Sequence, residues 1–121
     1  MTGATGWLRL EGLAVLAAAA VLYAGTGYGW VLFAVLFLAP DLAMLGYLGG
    51  PRAGAVAYNL AHTYAAPAVL AGVGWAMGAA LPVALALVWA AHIGFDRALG
   101  YGLKLPTDFR DTHLGRIGRD G

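Results

Sequence analysis

Residues 30–47 read WVLFAVLFLAPDLAMLGY and contain one charged residue, Asp41. At about 1.5 Å per residue, an α-helix of this length reaches roughly 27 Å, which is close to the thickness of the hydrocarbon layer of a bilayer. The whole chain is 61% hydrophobic and only 11% charged, with a mean hydropathy of +0.75. A soluble domain carries about 25% charged residues. The sequence therefore predicts that residues 30–47 cross a membrane as a helix.

Three further apolar stretches have a similar length, so the predicted spans are residues 7–23, 30–47, 53–71 and 81–98. Because the connections are short, consecutive helices should be antiparallel neighbours. Pro67 should kink the third span, and residues 72–80 should form a loose outer connection. We expect an all-α fold: one domain over residues 1–121, built as a four-helix transmembrane bundle. The small residues of the third span offer a surface for close helix packing or a homo-oligomer.

The charged residues indicate the orientation of these helices. The connections 24–29 and 72–80 contain no Lys, Arg, Asp or Glu. All basic residues lie at the opposite ends of the spans: Arg9, Arg52, Arg97, Lys104, Arg110, Arg116 and Arg119. Because Lys and Arg are retained on the cytoplasmic side, both termini should be cytosolic. A secretory signal peptide is the alternative for the first span, but Glu11 lies within it and no soluble domain follows.

Six polar residues from the four spans should lie at similar depth near the cytosolic face. Counting from the cytosolic span ends at about 1.5 Å per residue places them within roughly 3–14 Å of that face. They are Glu11, Asp41, Asn59, His62, His92 and Asp96. A charged group inside a bilayer costs at least about 2.5–3.5 kcal/mol at the midplane, so such groups normally face the bundle interior and pair. This layer is the predicted functional site.

A metal centre would use Asp41, His62, His92 and Asp96, with Glu11 or His113 as further ligands. Imidazole and carboxylate ligands suit Zn, Fe or Mn, and a helix bundle can hold them. Three alternatives use the same residues: a proton- or ion-coupled carrier, a haem with two axial histidines, and a structural polar network without catalysis.

We expect a metal-dependent enzyme or binding site for a lipid-like or amphiphilic ligand at the cytosolic interface. Glu11 and Asp96 are the candidate acid–base groups, since a partly desolvated carboxylate binds protons more readily. Four further residues are candidates for contacting the ligand, with the two basic ones holding an anionic head group: Tyr58, Asn59, Arg97 and Lys104. A net charge of +1 does not indicate a nucleic-acid partner, and the absence of cysteine excludes thiolate ligands.

The run HIGFDRALGYGLK at 92–104, followed by THLG at 112–115, resembles the C-terminal signature of a family of small bacterial membrane proteins. That family is described only as a domain of unknown function with four predicted spans. Pro40-Asp41 and the segment 59–62 are similar to its other polar positions. The resemblance implies a four-span fold in a bacterial inner membrane and supplies no activity.

The C-terminal tail, residues 99–121, combines charged, aromatic and glycine residues without helical periodicity. We expect it to fold back over the cytosolic mouth of the bundle. Residues 101–114 would then form a lid that brings His113 towards the polar layer, and a lid excludes water from the site beneath it. The alternative is an interfacial anchor in which Tyr101, Lys104 and Arg110 lie among lipid head groups.

Overall fold

Residues 3–101 are described by the computed structural model, and within them every regular element is helical. The α-helices are α1 (Gly3–Ala24), α2 (Trp30–Phe37), α3 (Pro51–His62), α4 (Ala65–Met77) and α5 (Ala80–Ala98). A 3₁₀ helix, Ala39–Gly49, lies between α2 and α3. The all-α prediction is confirmed for this part of the chain. The predicted lid and its residues Lys104 and His113 lie outside the described residues.

Within residues 3–101, three helical segments have the length and composition of membrane spans: Gly3–Ala24, Trp30–Gly49 and Ala80–Ala98. They correspond to the first, second and fourth predicted spans, so the membrane character of the chain is confirmed at that level. The third predicted span is divided between α3 and α4, and neither helix alone is long enough to cross a bilayer. The four-helix bundle therefore stays a prediction.

Large apolar side chains cover much of the outer surface. Leu48 is 89% exposed, Trp75 84% and Val31 79%. Lipid chains can cover such side chains without cost. Leu48 and Val31 belong to the second candidate span, so their exposure agrees with its hydropathy.

The second span changes from an α-helix to a 3₁₀ helix at Leu38, two residues before Pro40. Proline has no N–H to donate, and its ring clashes with the carbonyl group four residues earlier, so an α-helix does not continue through it. Pro40 instead lies in the first turn of the 3₁₀ helix. The 3₁₀ helix has 11 residues, whereas such runs rarely exceed about 4. Its rise of about 2.0 Å per residue makes this half of the span longer than an α-helix would be.

The third predicted span is interrupted just before Pro67. α3 ends at His62, Thr63 is extended, and α4 begins at Ala65, so the break lies within one turn before Pro67. The prediction of a kink is therefore confirmed. The predicted outer connection over residues 72–80 is wrong, because α4 continues to Met77 and only Gly78 and Ala79 join it to α5. Gly78 ends α4 with a φ of 65°, a left-handed conformation that glycine adopts without strain.

Two close helix contacts determine the packing around the site. α1 packs against α5 where Gly12 and Gly94 meet, and a Cβ on Gly94 would lie 2.5 Å from the carbonyl oxygen of Gly12. α3 packs against the 3₁₀ helix, where the ring of Tyr47 lies directly on Gly54. Glycine permits backbones to approach this closely because it has no side chain. These contacts hold α5 against α1 and α3 against the 3₁₀ helix. A hydrogen bond from Trp89 to the carbonyl oxygen of Ala61 joins α5 to α3.

Candidate metal centre

Four ionisable side chains from three helical elements meet at one point. Asp41 comes from the 3₁₀ helix, His62 is the last residue of α3, and His92 and Asp96 lie one turn apart on α5. One donor atom from each residue lies within 4.8 Å of the donor atoms of the other three. We call these four residues the His/Asp cluster. The depth argument predicted all four as metal ligands, and the structure brings them together.

The distances within the cluster are uniform. Nε2 of His62 lies 3.1 Å from Nε2 of His92, and Oδ1 of Asp41 lies 3.2 Å from each of these nitrogens. Oδ2 of Asp96 lies 3.2 Å from the nitrogen of His92 and 3.4 Å from that of His62. In a tetrahedral site with bonds of about 2.0–2.1 Å, neighbouring ligand atoms are about 3.3–3.4 Å apart. Five of the six separations are therefore close to those of such a site, and the two carboxylate oxygens lie within 4.8 Å of each other.

Contacts on the far side of His62 fix the orientation of its ring. Nδ1 lies 2.9 Å from the carbonyl oxygen of Tyr58, and because a carbonyl can only accept, Nδ1 is the nitrogen that carries the proton. The ring of Tyr58 is stacked on the imidazole at 3.7 Å between centroids. A neutral His62 therefore turns the lone pair of Nε2 towards the cluster. A hydrogen bond of this kind typically orients a metal-bound histidine.

Arg97 from α5 holds the end of α3 that carries His62. Its Nη2 donates a hydrogen bond of 2.8 Å to the carbonyl oxygen of His62, where the helix leaves its last carbonyl groups unpaired. The guanidinium carbon lies 5.4 Å from the centre of the Tyr64 ring, which is within the range of a cation–π contact. Arg97 thus connects the two helices that supply the histidines.

The cluster is buried on one side and open on the other. The side chains of His62 and His92 are each 2% exposed, whereas that of Asp41 is 39% exposed. The ring of Phe37 packs edge-on against His92 at 5.2 Å, so an apolar group lies directly beside the cluster. Two carboxylates that converge in such surroundings strongly favour a bound cation. A ligand can approach the cluster at Asp41.

The other predicted site residues lie around the cluster rather than in it. Glu11 is exposed on α1, and Asn59 is half-buried on α3. Tyr58 and Arg97, which we predicted to contact a ligand, each contact His62. Their positions are those of residues that orient a ligand histidine.

Sequence reasoning missed Trp89 and Tyr64. The indole nitrogen of Trp89 donates a hydrogen bond to the carbonyl oxygen of Ala61, which ties α5 to α3 next to His62. One signal was available for Trp89: the other three tryptophans lie near the ends of predicted spans, whereas Trp89 lies within one. Tyr64 gave no comparable signal, because its contact with Arg97 depends on the break between α3 and α4.

Membrane-length helices and a buried group of two histidines and two aspartates define an all-α membrane protein with a candidate metal site. The chain belongs to the family described as domain of unknown function DUF4260, whose model matches residues 5–117. The expected family resemblance is thereby confirmed, and the match includes all four residues of the cluster. Comparison with curated proteins and with solved structures gave no match.

Proposed function

We propose that this chain is an integral membrane protein that binds one divalent transition metal ion through the His/Asp cluster. The observation that carries the proposal is the spacing of the four donor atoms, 3.1–3.4 Å for five of the six pairs and within 4.8 Å for the sixth. A single hydrogen bond joins only two of these atoms. Four atoms at the corners of one small polyhedron suit a single ion at its centre.

Proton counting also supports a bound cation. Since the Nδ1 of His62 donates to Tyr58, a neutral His62 and the two carboxylates together present only acceptors. Protonating both Nε2 atoms would point two N–H groups at each other across 3.1 Å. A single proton on Nε2 of His92 still leaves acceptors facing one another unless a carboxyl group is protonated as well, and an unsatisfied buried polar group costs about 1–3 kcal/mol. One cation satisfies all four donor atoms at once.

The ligand set favours Zn, Fe or Mn. Two imidazoles and two carboxylates form a mixed nitrogen–oxygen site, and the sequence has no cysteine that would supply a thiolate. The haem alternative does not fit this geometry. Axial histidines on opposite sides of an iron would place their nitrogens about 4 Å apart at metal–imidazole bonds of about 2 Å. The Nε2 atoms are 3.1 Å apart, which leaves no room for a porphyrin between them.

The proposal includes a fourth crossing and an orientation. α3 and α4 together cover residues 51–77, enough to cross a bilayer as a broken helix, with irregular backbone only where it adjoins the buried cluster. In this proposal an even number of crossings, combined with the charge asymmetry of the sequence, puts both termini in the cytosol. The cluster then lies in the cytosolic half of the inner membrane.

We infer further that the bound metal acts on an amphiphilic substrate. A metal ion at this site polarises a bound oxygen or activates a water molecule. The exposed edge of Asp41 leaves a route for that oxygen to reach the metal. At the inner surface of a membrane, molecules with a polar head and an apolar body are the substrates at hand.

Elemental analysis of the protein purified in a mild detergent tests the metal proposal. Wild-type protein should contain close to one equivalent of Zn, Fe or Mn, and Asp96→Asn and His92→Leu should lose most of it. Glu11→Gln is the matched control, because it removes a carboxylate charge from outside the cluster. Circular dichroism checks that each variant remains helical. The proposal is wrong if the wild-type protein takes up no stoichiometric metal, or if all variants retain it equally.

A further inference from the structure

An apolar cavity of about 370 Å³ lies between the second span, α3, α4 and α5. This volume is within the range of about 300–1,000 Å³ typical of small-molecule sites. Its walls are almost entirely apolar and include Leu36, Pro40, Ala43, Leu70, Leu85 and Trp89. None of the lining residues carries a charge, so the cavity offers nothing to bind a polar molecule along its length.

The cavity adjoins the His/Asp cluster. Two lining residues directly precede metal-ligand candidates in the chain: Pro40 precedes Asp41, and Ala61 precedes His62. The indole nitrogen of Trp89 is already bonded to the carbonyl oxygen of Ala61, so this ring contributes an apolar wall. The cavity therefore lies one residue along the chain from two members of the cluster.

The α5 residues that line the cavity indicate how a bound molecule would lie in it. Leu85 and Trp89 line the cavity, and together with His92 they follow the spacing of four and three residues that places side chains on one helix face. From Leu85 to His92 this row is about 10 Å long. A molecule lying along it would have an apolar part beside Leu85 and a polar end at the cluster.

We propose that the cavity binds the hydrocarbon chain of a single-chain amphiphile, whose oxygen-bearing head group coordinates the metal. The inference rests on the proposed function and specifies the substrate class of that site. A hydrocarbon chain matches the uncharged walls, and an oxygen ligand matches the metal at their polar end. In a bilayer, such molecules surround the protein and lie with their head groups towards the interface. The polar end of the proposed site, the His/Asp cluster, also lies towards the cytosolic interface.

Trp89 provides a reporter for the occupant, because bromine quenches tryptophan fluorescence on contact. The background variant replaces the three exposed tryptophans with phenylalanine, namely Trp7, Trp30 and Trp75. The probe is an ω-brominated medium-chain fatty acid, added to metal-loaded protein in unbrominated detergent. Ala43→Phe fills the cavity from the 3₁₀ helix. Ala34→Phe adds the same ring to the exposed surface of α2 and is the matched control.

Quenching should saturate in the background variant and in Ala34→Phe, and half-saturation in Ala43→Phe should need about tenfold more probe. Removing the metal with a chelator should also weaken binding of the probe about tenfold, because the carboxylate head group can no longer coordinate the metal. Metal content is measured on the same samples. Metal-loaded protein whose quenching is unsaturable, or equal in Ala43→Phe and Ala34→Phe, overturns the cavity proposal alone. Chelated protein that half-saturates at the same probe concentration as metal-loaded protein overturns the head-group contact, and protein that takes up no metal overturns the metal centre.

Discussion

Replacing Gly94 with alanine should loosen the contact between α1 and α5. α5 supplies His92 and Asp96, two of the four residues of the His/Asp cluster. A Cβ at this position would lie 2.5 Å from the carbonyl oxygen of Gly12 and 2.8 Å from the backbone nitrogen of Leu16. Ordinary contact begins at 3.4 Å, so α1 and α5 must separate locally by about 0.9 Å, the difference between 2.5 and 3.4 Å. Both obstacles are backbone atoms of a packed helix and cannot rotate away. Overpacking of this kind costs about 1–3 kcal/mol.

The same shift should disturb metal binding, because His92 and Asp96 are each two residues from Gly94 on α5. A metal site tolerates changes of only about 0.2 Å in its ligand distances. Thermal unfolding followed by circular dichroism in detergent should therefore show a midpoint several degrees below that of the wild type, and the purified variant should contain less metal.

Gly72→Ala is the control, since a Cβ at this helical position meets nothing within 4 Å. It should be neutral or stabilising, because alanine is favoured over glycine in a helix by about 0.5–1 kcal/mol. If Gly94→Ala unfolds at the same temperature as Gly72→Ala and keeps its metal, the account of the α1–α5 contact is refuted.

Three further predictions follow from the same contacts. Arg97→Gln removes the hydrogen bond to the carbonyl oxygen of His62 and should weaken metal binding about tenfold in a competition titration, whereas Arg52→Gln, on an exposed residue, should not. Gly12→Ala should lower the unfolding midpoint, because its Cβ would lie 2.5 Å from the Cβ of Arg97; an unchanged midpoint would contradict the close packing. A reporter active only in the periplasm and fused after Gly121 should be silent, and strong activity would reverse the proposed orientation.

Counting depth along antiparallel spans was sufficient to predict the His/Asp cluster. Asp41, His62, His92 and Asp96 come from distant parts of the sequence, yet all lie near the same predicted face. Because intramembrane charges must pair, similar depth implied proximity. Depth does not specify which way a helix faces. Glu11 has a similar depth, but α1 turns the neighbouring Gly12 towards α5 and leaves Glu11 exposed.

The sequence pattern predicted the local backbone geometry less well than it predicted the cluster. We predicted an uninterrupted helix over residues 30–47, and the hydropathy pattern did not reveal the 3₁₀ helix Ala39–Gly49. Depth counting assumed an α-helical rise of about 1.5 Å, whereas a 3₁₀ helix rises about 2.0 Å per residue. The contact of Arg97 with a main-chain carbonyl depends on α3 ending at His62, which hydropathy does not reveal. Such contacts follow from the fold rather than from residue type.

X-ray absorption spectroscopy of the metal-loaded protein tests the central claim most directly, because it measures the ligand shell of the metal itself. The account predicts one inner shell of about four nitrogen and oxygen atoms at roughly 2.0–2.1 Å. It also predicts outer-shell scattering from two imidazole rings, those of His62 and His92. Replacing either histidine with leucine should remove half of that imidazole signal from whatever metal remains bound. A shell that contains sulfur, or one without imidazole scattering, would contradict the assignment of the metal to the His/Asp cluster.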